Sequence, residues 1–253
     1  MKTAICISGH LRHYKNLKDN FLSFKKILEK FSDVDVFVST WDKQNTLNSW
    51  SHAHHISNAE TAKNIVDINE VKDHYETDFV NLFNYDFYSS DYSPINYRDL
   101  TDQPYSWDHR GIGGNVINSS KMFFLIYEAN KFKKYQEFLK NEKYDLVFRV
   151  RPDYEFIHHE NYFNNGLIIE KNTIYASVAY ACSPIDDQFA FGSSEAMDKY
   201  SSCWLKQSRF FHANIWGDPE NILIRSIIRM HDINLIQIPR IGCLGSDITS
   251  FKR

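Results

Sequence analysis

The chain has 253 residues, 43% of them hydrophobic and 24% charged, with a formal net charge of −3. Those values exclude broad disorder and give no global basic field to attract nucleic acid. The length suits one large or two small domains with a sizeable core, and no run approaches the roughly 18 apolar residues of a membrane span.

The opening residues Thr3 to Ser8, TAICIS, read as a buried first strand that Gly9 ends. A helix is expected from about Tyr14 to Phe31, because Leu17, Phe21, Phe24, Leu28 and Phe31 recur every three or four positions. Val34 to Thr40 alternates as a second strand, so the opening predicts a parallel strand–helix–strand unit. A short helix near 69–75 and a strand near 79–83 follow. Residues 85–114 are rich in Tyr, Asp, Ser and Asn and read as a long functional loop, a lid with hinge points at Gly111, Gly113 and Gly114.

Ser119 or Ser120 is expected to cap a helix that runs to about Asn141, with Met122, Ile126, Ala129, Phe132, Tyr135 and Leu139 on its buried face. Strands are then predicted over 144–156, 173–177, 188–191 and 235–238. Helices are predicted over 194–205 and from Asp218-Pro219-Glu220 to about Met230, where Asp is a natural N-cap and Pro suits the first turn. The tail 239–253 is polar. No repeat, linker or low-complexity block divides the chain, so one domain spanning 1–253 is expected.

The stretch Tyr144–Phe156, YDLVFRVRPDYEF, carries the strongest chemical signal. Alternate strand residues face opposite ways, so Leu146, Phe148 and Val150 make an apolar face. Asp145, Arg149, Arg151, Asp153 and Glu155 make a charged one. Arginines on a strand inside an α/β sheet are costly unless carboxylates or phosphates pair with them. Pro152 cannot donate to a ladder, so regular pairing should stop there and release Asp153 and Glu155 at the carboxyl end, where ligands of such sheets gather. Two readings fit equally: a carboxylate pair holding a divalent metal against a phosphate, or an internal salt-bridge network.

Other segments add weaker signals. Ser8-Gly9-His10-Leu11-Arg12 places a glycine and an arginine after the first strand, where they suit phosphate or form a plain turn. It is neither G-x-x-x-x-G-K-[ST] nor G-x-G-x-x-G. Ser39-Thr40-Trp41-Asp42 should share that edge, making Asp42 a donor-side candidate and Trp41 either a stacking platform or a packed core residue. Asp186-Asp187-Gln188 reads as a turn or as a source of a general base. Glu220 fits a helix N-terminus on electrostatic grounds alone. The histidines at 52, 54, 55, 158 and 159 lack zinc-site spacing, and no G-x-S-x-G elbow occurs. Cys6, Cys182, Cys203 and Cys243 form no C-x-x-C pair, and Cys6 reads as a buried thiol. With no signal-peptide pattern at the start, a reduced cytoplasmic setting is expected, with at most peripheral contact at the inner face of a membrane.

Four segments together resemble bacterial glycosyltransferases of the GT-A fold, nearest to the WavE-like lipopolysaccharide-synthesis group. They are ISGHLR at 7–12, VFVSTWD at 36–42, NSSKMFFLIYEANKF at 118–132 leading to YDLVFRVRPD at 144–153, and DDQFAFGSSEAM at 186–197. The resemblance implies an α/β, single-domain, GT-A-like (Rossmann-like) fold, with a mixed, mainly parallel sheet flanked by helices. It implies a hexosyltransferase-type enzyme that moves a sugar from a nucleotide-sugar donor to a glycan or lipid-linked oligosaccharide acceptor in surface-polysaccharide or lipopolysaccharide synthesis. It further implies Mg²⁺ or Mn²⁺ on the donor diphosphate at Asp153 and Glu155, donor contacts from Gly9, Arg12, Asn118, Lys121 and Arg151, and acceptor-side carboxylates at Asp187 and Glu220. This sequence departs from the family's Asp-x-Asp: it reads Arg151-Pro152-Asp153-Tyr154-Glu155, so Arg151 can carry part of the phosphate charge itself. A phosphoryl or sulfuryl transferase would share the arginines and carboxylates but should show a Gly/Lys-rich phosphate loop. A non-catalytic nucleotide- or glycan-binding domain on the same fold would bind without turnover.

Overall fold

The structure, a computed structural model, describes residues 1–12, 14–44, 64–86, 88, 116–157, 159–163, 167, 169–178, 185–206 and 219–244. Of the expected lid at 85–114, only Tyr85, Asp86 and Tyr88 fall among them, and of the tail only residues 239–244.

The first half runs β1 (Lys2–Ser8), a 3-10 turn (Tyr14–Leu17), α1 (Lys18–Glu29), β2 (Asp33–Trp41), α2 (Ile68–Tyr75) and β3 (Val80–Phe83). The second half runs α3 (Val116–Lys140), β4 (Leu146–Val150), β5 (Tyr154–Phe156), α4 (His159–Phe163), β6 (Thr173–Ser177), β7 (Phe189–Gly192), α5 (Ser194–Ser201), α6 (Pro219–Ile228), β8 (Asn234–Ile238) and β9 (Gly242–Leu244). Seven strands make one sheet in the order β3-β2-β1-β4-β7-β6-β8, and β5 pairs with β9 in a second, two-stranded sheet. In the large sheet β7 alone runs antiparallel to its neighbours. This is the expected α/β architecture, a mixed, mainly parallel sheet with helices on both faces.

One face carries Ile5, Ile7, Val36, Val38, Phe148 and Val150 under Phe21, Phe24, Ile27 and Leu28 of α1 and Val71 and Tyr75 of α2. The other carries Ala4, Cys6, Phe37 and Val147 under α3, α5 and α6. The α1 stripe is therefore buried as its spacing predicts.

The α3 stripe holds over Met122, Ile126, Ala129 and Phe132, which pack into that second core, and fails beyond them. The helix begins at Val116, so Ser119 and Ser120 are buried inside it rather than capping it. Tyr135 and Leu139, expected inside, are exposed, and Phe138 is 80% exposed. The buried line instead passes through Lys133 and Glu137, polar residues that a hydrophobic pattern puts outside. They are satisfied as a network. The Lys133 ammonium donates to Ser194 and, at 2.9 Å, to Asp198, and lies 3.3 Å from Glu137. Glu137 in turn accepts from Ser194 Oγ at 2.6 Å and from the Tyr144 backbone N–H at 3.1 Å. Buried charges persist where they are paired and hydrogen-bonded in this way, and here they bolt α3 to α5 and to the entrance of β4.

Chain order places the functional edge. From β1 the chain steps outward to β2 and β3, then returns to place β4 on the other side of β1. Ligands of open α/β sheets bind at such a reversal, outside the carboxyl ends of the strands. The loops that leave β1 and β4 touch there. Gly9 has φ +139°, and a methyl group on it would sit 3.1 Å from Pro152 Cδ. Its carbonyl accepts from Thr40 Oγ1 of β2 at 2.8 Å.

Gly9→Ala meets both a backbone conformation hostile to side chains and a fixed proline ring. It is expected to cost about 1–3 kcal/mol, read as a lower urea midpoint. A midpoint equal to wild type would show that the two loops separate freely.

Candidate active site

Pro152 governs the local geometry at the end of β4. The Tyr154 N–H donates to the Arg151 carbonyl at 3.1 Å, closing a turn with proline at its second position, a favoured placement. The chain leaves the large sheet through this turn. It enters β5, where β9 pairs with it through Tyr154↔Leu244, Glu155↔Cys243 and Phe156↔Gly242. A side chain at 242 would strike the Glu155 carbonyl at 2.2 Å, so β9 lies this close only because Gly242 has none. The single strand expected over 144–156 is thus two strands in different sheets, and part of the tail is structural.

The turn folds Asp153 back onto Arg151. Arg151 Nε donates to Asp153 Oδ1 and Nη2 to Oδ2, both at 2.9 Å. On its other side Arg151 Nη1 stands 3.7 Å from Asp187 Oδ2, where the chain turns into β7. Arg12 belongs to the same group, coupled electrostatically to Asp153, Arg151 and Asp187, and Glu220 acts on Arg151. Burial pushes the Asp153 carboxyl up, but Arg151 and Arg12 outweigh it and hold the acid below its ordinary range. Arg151 is driven the other way: burial opposes its charge, and Asp153 and Asp187 more than restore it.

Asp186, beside Asp187, is more unusual. Its Oδ1 accepts from the Gln188 and Phe189 N–H groups at 3.0 and 3.3 Å, while Oδ2 lies 3.9 Å from Arg240 Nε. Burial first, and then the charge of Asp187, raise its pKa to about 6. Arg240 also donates to Gln188 Oε1 at 2.9 Å.

A second cluster lines the β1–β2 side. His10 is half-buried, and its Nδ1 donates to the Lys43 carbonyl at 3.3 Å. Burial and then Arg12 lower its pKa to about 3, so it is neutral at pH 7. Its ring faces Tyr85 at 5.4 Å, and Lys121 Nζ sits 3.4 Å from the centre of the Tyr85 ring, a cation–π contact. Trp41 is fully buried and stacks on Phe124 at 5.7 Å, so it is a packed core residue. Asp42 clamps the chain after β3, accepting from the Tyr85 N–H at 3.0 Å and Asn84 Nδ2 at 2.8 Å.

Of the residues singled out from sequence, the structure therefore gathers Gly9, Arg12, Arg151, Asp153 and Asp187, with Glu220 and Lys121 at the margins. Glu155 is half-buried in β5. Asn118 lies in the first turns of α3, its side chain outside what is described. Sequence reading missed Arg240, whose neighbourhood carries no pattern.

The donor set at Asp153 does not fit a cation as it stands. Both carboxylate oxygens are engaged by Arg151, and among the described residues no three His, Cys, Asp or Glu side chains converge as metal ligands. A shallow surface depression of about 450 Å³ lies elsewhere, among Met1, Asp145, Leu167, Ile169, Lys171 and Ser193 at the opposite edge of the sheet.

No protein-family model matches the chain, and no curated protein matches it. Among solved structures it is similar to a glycosyltransferase involved in glycosylation of the major capsid of PBCV-1, at 8% identity and a TM-score of 0.42, over 94% of this chain and 83% of that one. It is also similar to the glycosyltransferase GlyE of Streptococcus pneumoniae TIGR4. The apo form matches at 10% identity and a TM-score of 0.40, and a second structure at 11% and 0.41. The chain spans about half the length of those two, 45% and 46%.

The Asp186 shift gives a testable pH dependence. A carboxyl whose folded pKa lies above its unfolded value of about 4 is destabilising once ionised. Stability should fall as pH rises from about 4 to about 6, by at most about 3 kcal/mol. Asp186→Asn keeps an oxygen for both backbone N–H groups and should flatten the melting temperature across that window. Asp153 works in the opposite direction and lower: its contribution is lost as pH falls through its depressed pKa. An unchanged slope in Asp186→Asn would assign the titration to another group.

Proposed function

We propose that this protein is a glycosyltransferase that moves a sugar from a nucleotide-sugar donor to a glycan acceptor, the donor seated at the carboxyl edge between β1 and β4. The observation that carries the reading is the convergence of Arg12 and Arg151, from two loops in contact, on the point where the strand order reverses. Arginine forks match phosphate oxygens, and the reversal is where nucleotides bind in open α/β sheets. The neutral His10, Tyr85 and Lys121 beside Arg12 offer an aromatic and cationic wall suited to the nucleoside.

In this reading Arg12 and Arg151 hold the diphosphate and stabilise the charge that grows on it as the anomeric bond breaks. Asp153 orients Arg151. Asp187 is the carboxylate placed to accept the proton of an attacking acceptor hydroxyl, with Glu220 as a second acceptor-side carboxylate. A Mg²⁺ or Mn²⁺ ion at Asp153 and Glu155 is the competing way to hold the diphosphate, and it requires Arg151 to release Asp153. A surface-polysaccharide or lipopolysaccharide acceptor follows from the sequence resemblance. Among the described residues no helix is long and apolar enough to cross a membrane, so an acceptor on a lipid carrier would be met at the membrane surface. A phosphoryl or sulfuryl transferase is less favoured, because the loop after β1 holds Gly9 and Arg12 but no lysine-bearing phosphate cradle.

The test is a thermal-shift panel of UDP, GDP, CMP and dTDP, each with and without Mn²⁺, on wild type, Asp153→Ala and Arg151→Lys, followed by nucleotide release from the matching nucleotide sugar. A ligand at about 100 times its dissociation constant adds about 2.7 kcal/mol, or several degrees. One nucleotide should stabilise the protein without metal, and Arg151→Lys should lose the shift. A Mn²⁺-dependent shift lost in Asp153→Ala would place the diphosphate on a cation instead. No shift and no release with any nucleotide would overturn the proposal. Asp187→Asn should lower kcat about 100-fold or more with KM little changed; a wild-type kcat would remove it as the base.

A further inference from the structure

Arg149 is the most anomalous side chain in the fold. It sits within β4, between Cys6 of β1 and Ala190 of β7, on the face covered by α3, α5 and α6. Ala176 of β6 lies beside Ala190, so the row across the sheet is small on either side of the arginine and leaves room for it. Arg149 is only 2% exposed, and Nε, Nη1 and Nη2 all lack a hydrogen-bond partner among the described residues. The Tyr200 hydroxyl, on α5 above it, is also buried without a partner. The α5 helix packs on β4, and the two groups are electrostatically coupled.

The guanidinium also feels Asp187, Arg151 and Asp186. Those residues stand at the carboxyl edge, two positions or more beyond Arg149. The guanidinium is thus within electrostatic reach of the site. Neither aspartate satisfies it: Asp187 faces Arg151 at 3.7 Å, and Asp186 uses Oδ1 on backbone N–H groups. Five guanidinium N–H donors and one hydroxyl, without an acceptor, describe a receptor for an oxyanion.

We propose that Arg149, with the Tyr200 hydroxyl, is a buried seat for a substrate oxyanion, either a phosphate of the nucleotide donor or the carboxylate of a sugar acid. The oxyanion enters from the carboxyl edge past Arg151. The inference rests on the proposed function for the source of the anion, but not for its existence.

The test measures binding of inorganic pyrophosphate and of D-glucuronate, at constant chloride, to the full chain and to Arg149→Met. The variant replaces a buried unpaired charge with an apolar chain of similar length, a change that is often neutral or stabilising without ligand. The ligand-free melting temperature should hold or rise, while affinity for one probe falls about 10–100-fold. Loss with pyrophosphate assigns the donor phosphate, and loss with glucuronate assigns a sugar carboxylate. Should Arg149→Met fail to fold, Tyr200→Phe removes one donor at nearly constant volume and should weaken the same probe about 2–10-fold. Wild-type affinity for both probes in Arg149→Met, or in Tyr200→Phe where that variant stands in, would overturn the inference and reduce Arg149 to a hydrated structural cation. So would failure of both probes to bind wild type. Loss of pyrophosphate binding in Arg149→Met, with no nucleotide release from any sugar donor, would instead keep the anion seat and remove the transferase.

Discussion

Arg151 organises this end of the molecule because its charge is largely withdrawn from water and must be answered. A buried guanidinium without partners costs several kcal/mol. Asp153 answers it with two hydrogen bonds in one plane, and Asp187 adds a longer contact from a different strand. The pairing ties the turn after β4 to the turn before β7, so two neighbouring strand ends are held by charge as well as by the ladder. It also decides what Asp153 can do. A carboxylate already engaged through both oxygens positions its arginine, and a cation must compete for the same lone pairs.

Around that pair the scaffold is built to hold loops close together. Gly9 lets the β1 loop approach Pro152, and Gly242 lets β9 approach β5. The buried Lys133–Glu137–Asp198 network fixes α3 against α5 behind the site. Rigid elements around a site hold fixed charges in place.

The electrostatics grade from one side of the site to the other. Near β1 and β2, His10 is held neutral beside Arg12, and aromatic rings dominate. At the centre, arginines and aspartates balance. Toward β7 and α5 the balance breaks in both directions, with Arg149 lacking an acceptor among the described residues and the Asp186 pKa raised to about 6. Under the proposed function, a nucleoside, a diphosphate and a sugar laid along that gradient would meet aromatic, cationic and acid–base surroundings in turn.

The sequence by itself determined the chain order of the large sheet's strands and the edge where the site lies. An apolar run gives β1 and alternation gives β2 and β4, strands covered on both faces, while a 3.6-residue period gives α1, which buries one face. Pro152 announces the end of β4 because it lacks an N–H. The tertiary structure alone decided the rest, since pairing between distant residues leaves no local period. Lys133 and Glu137 are inside α3 because Ser194 and Asp198 on another helix satisfy them, which leaves Tyr135, Phe138 and Leu139 outside. Gly242 is a strand residue only because Glu155 and Tyr154 lie against it. Arg151 and Arg149 look alike in the sequence, two residues apart on one face. Only folding showed that Asp153 and Asp187 satisfy the first and leave the second without an acceptor.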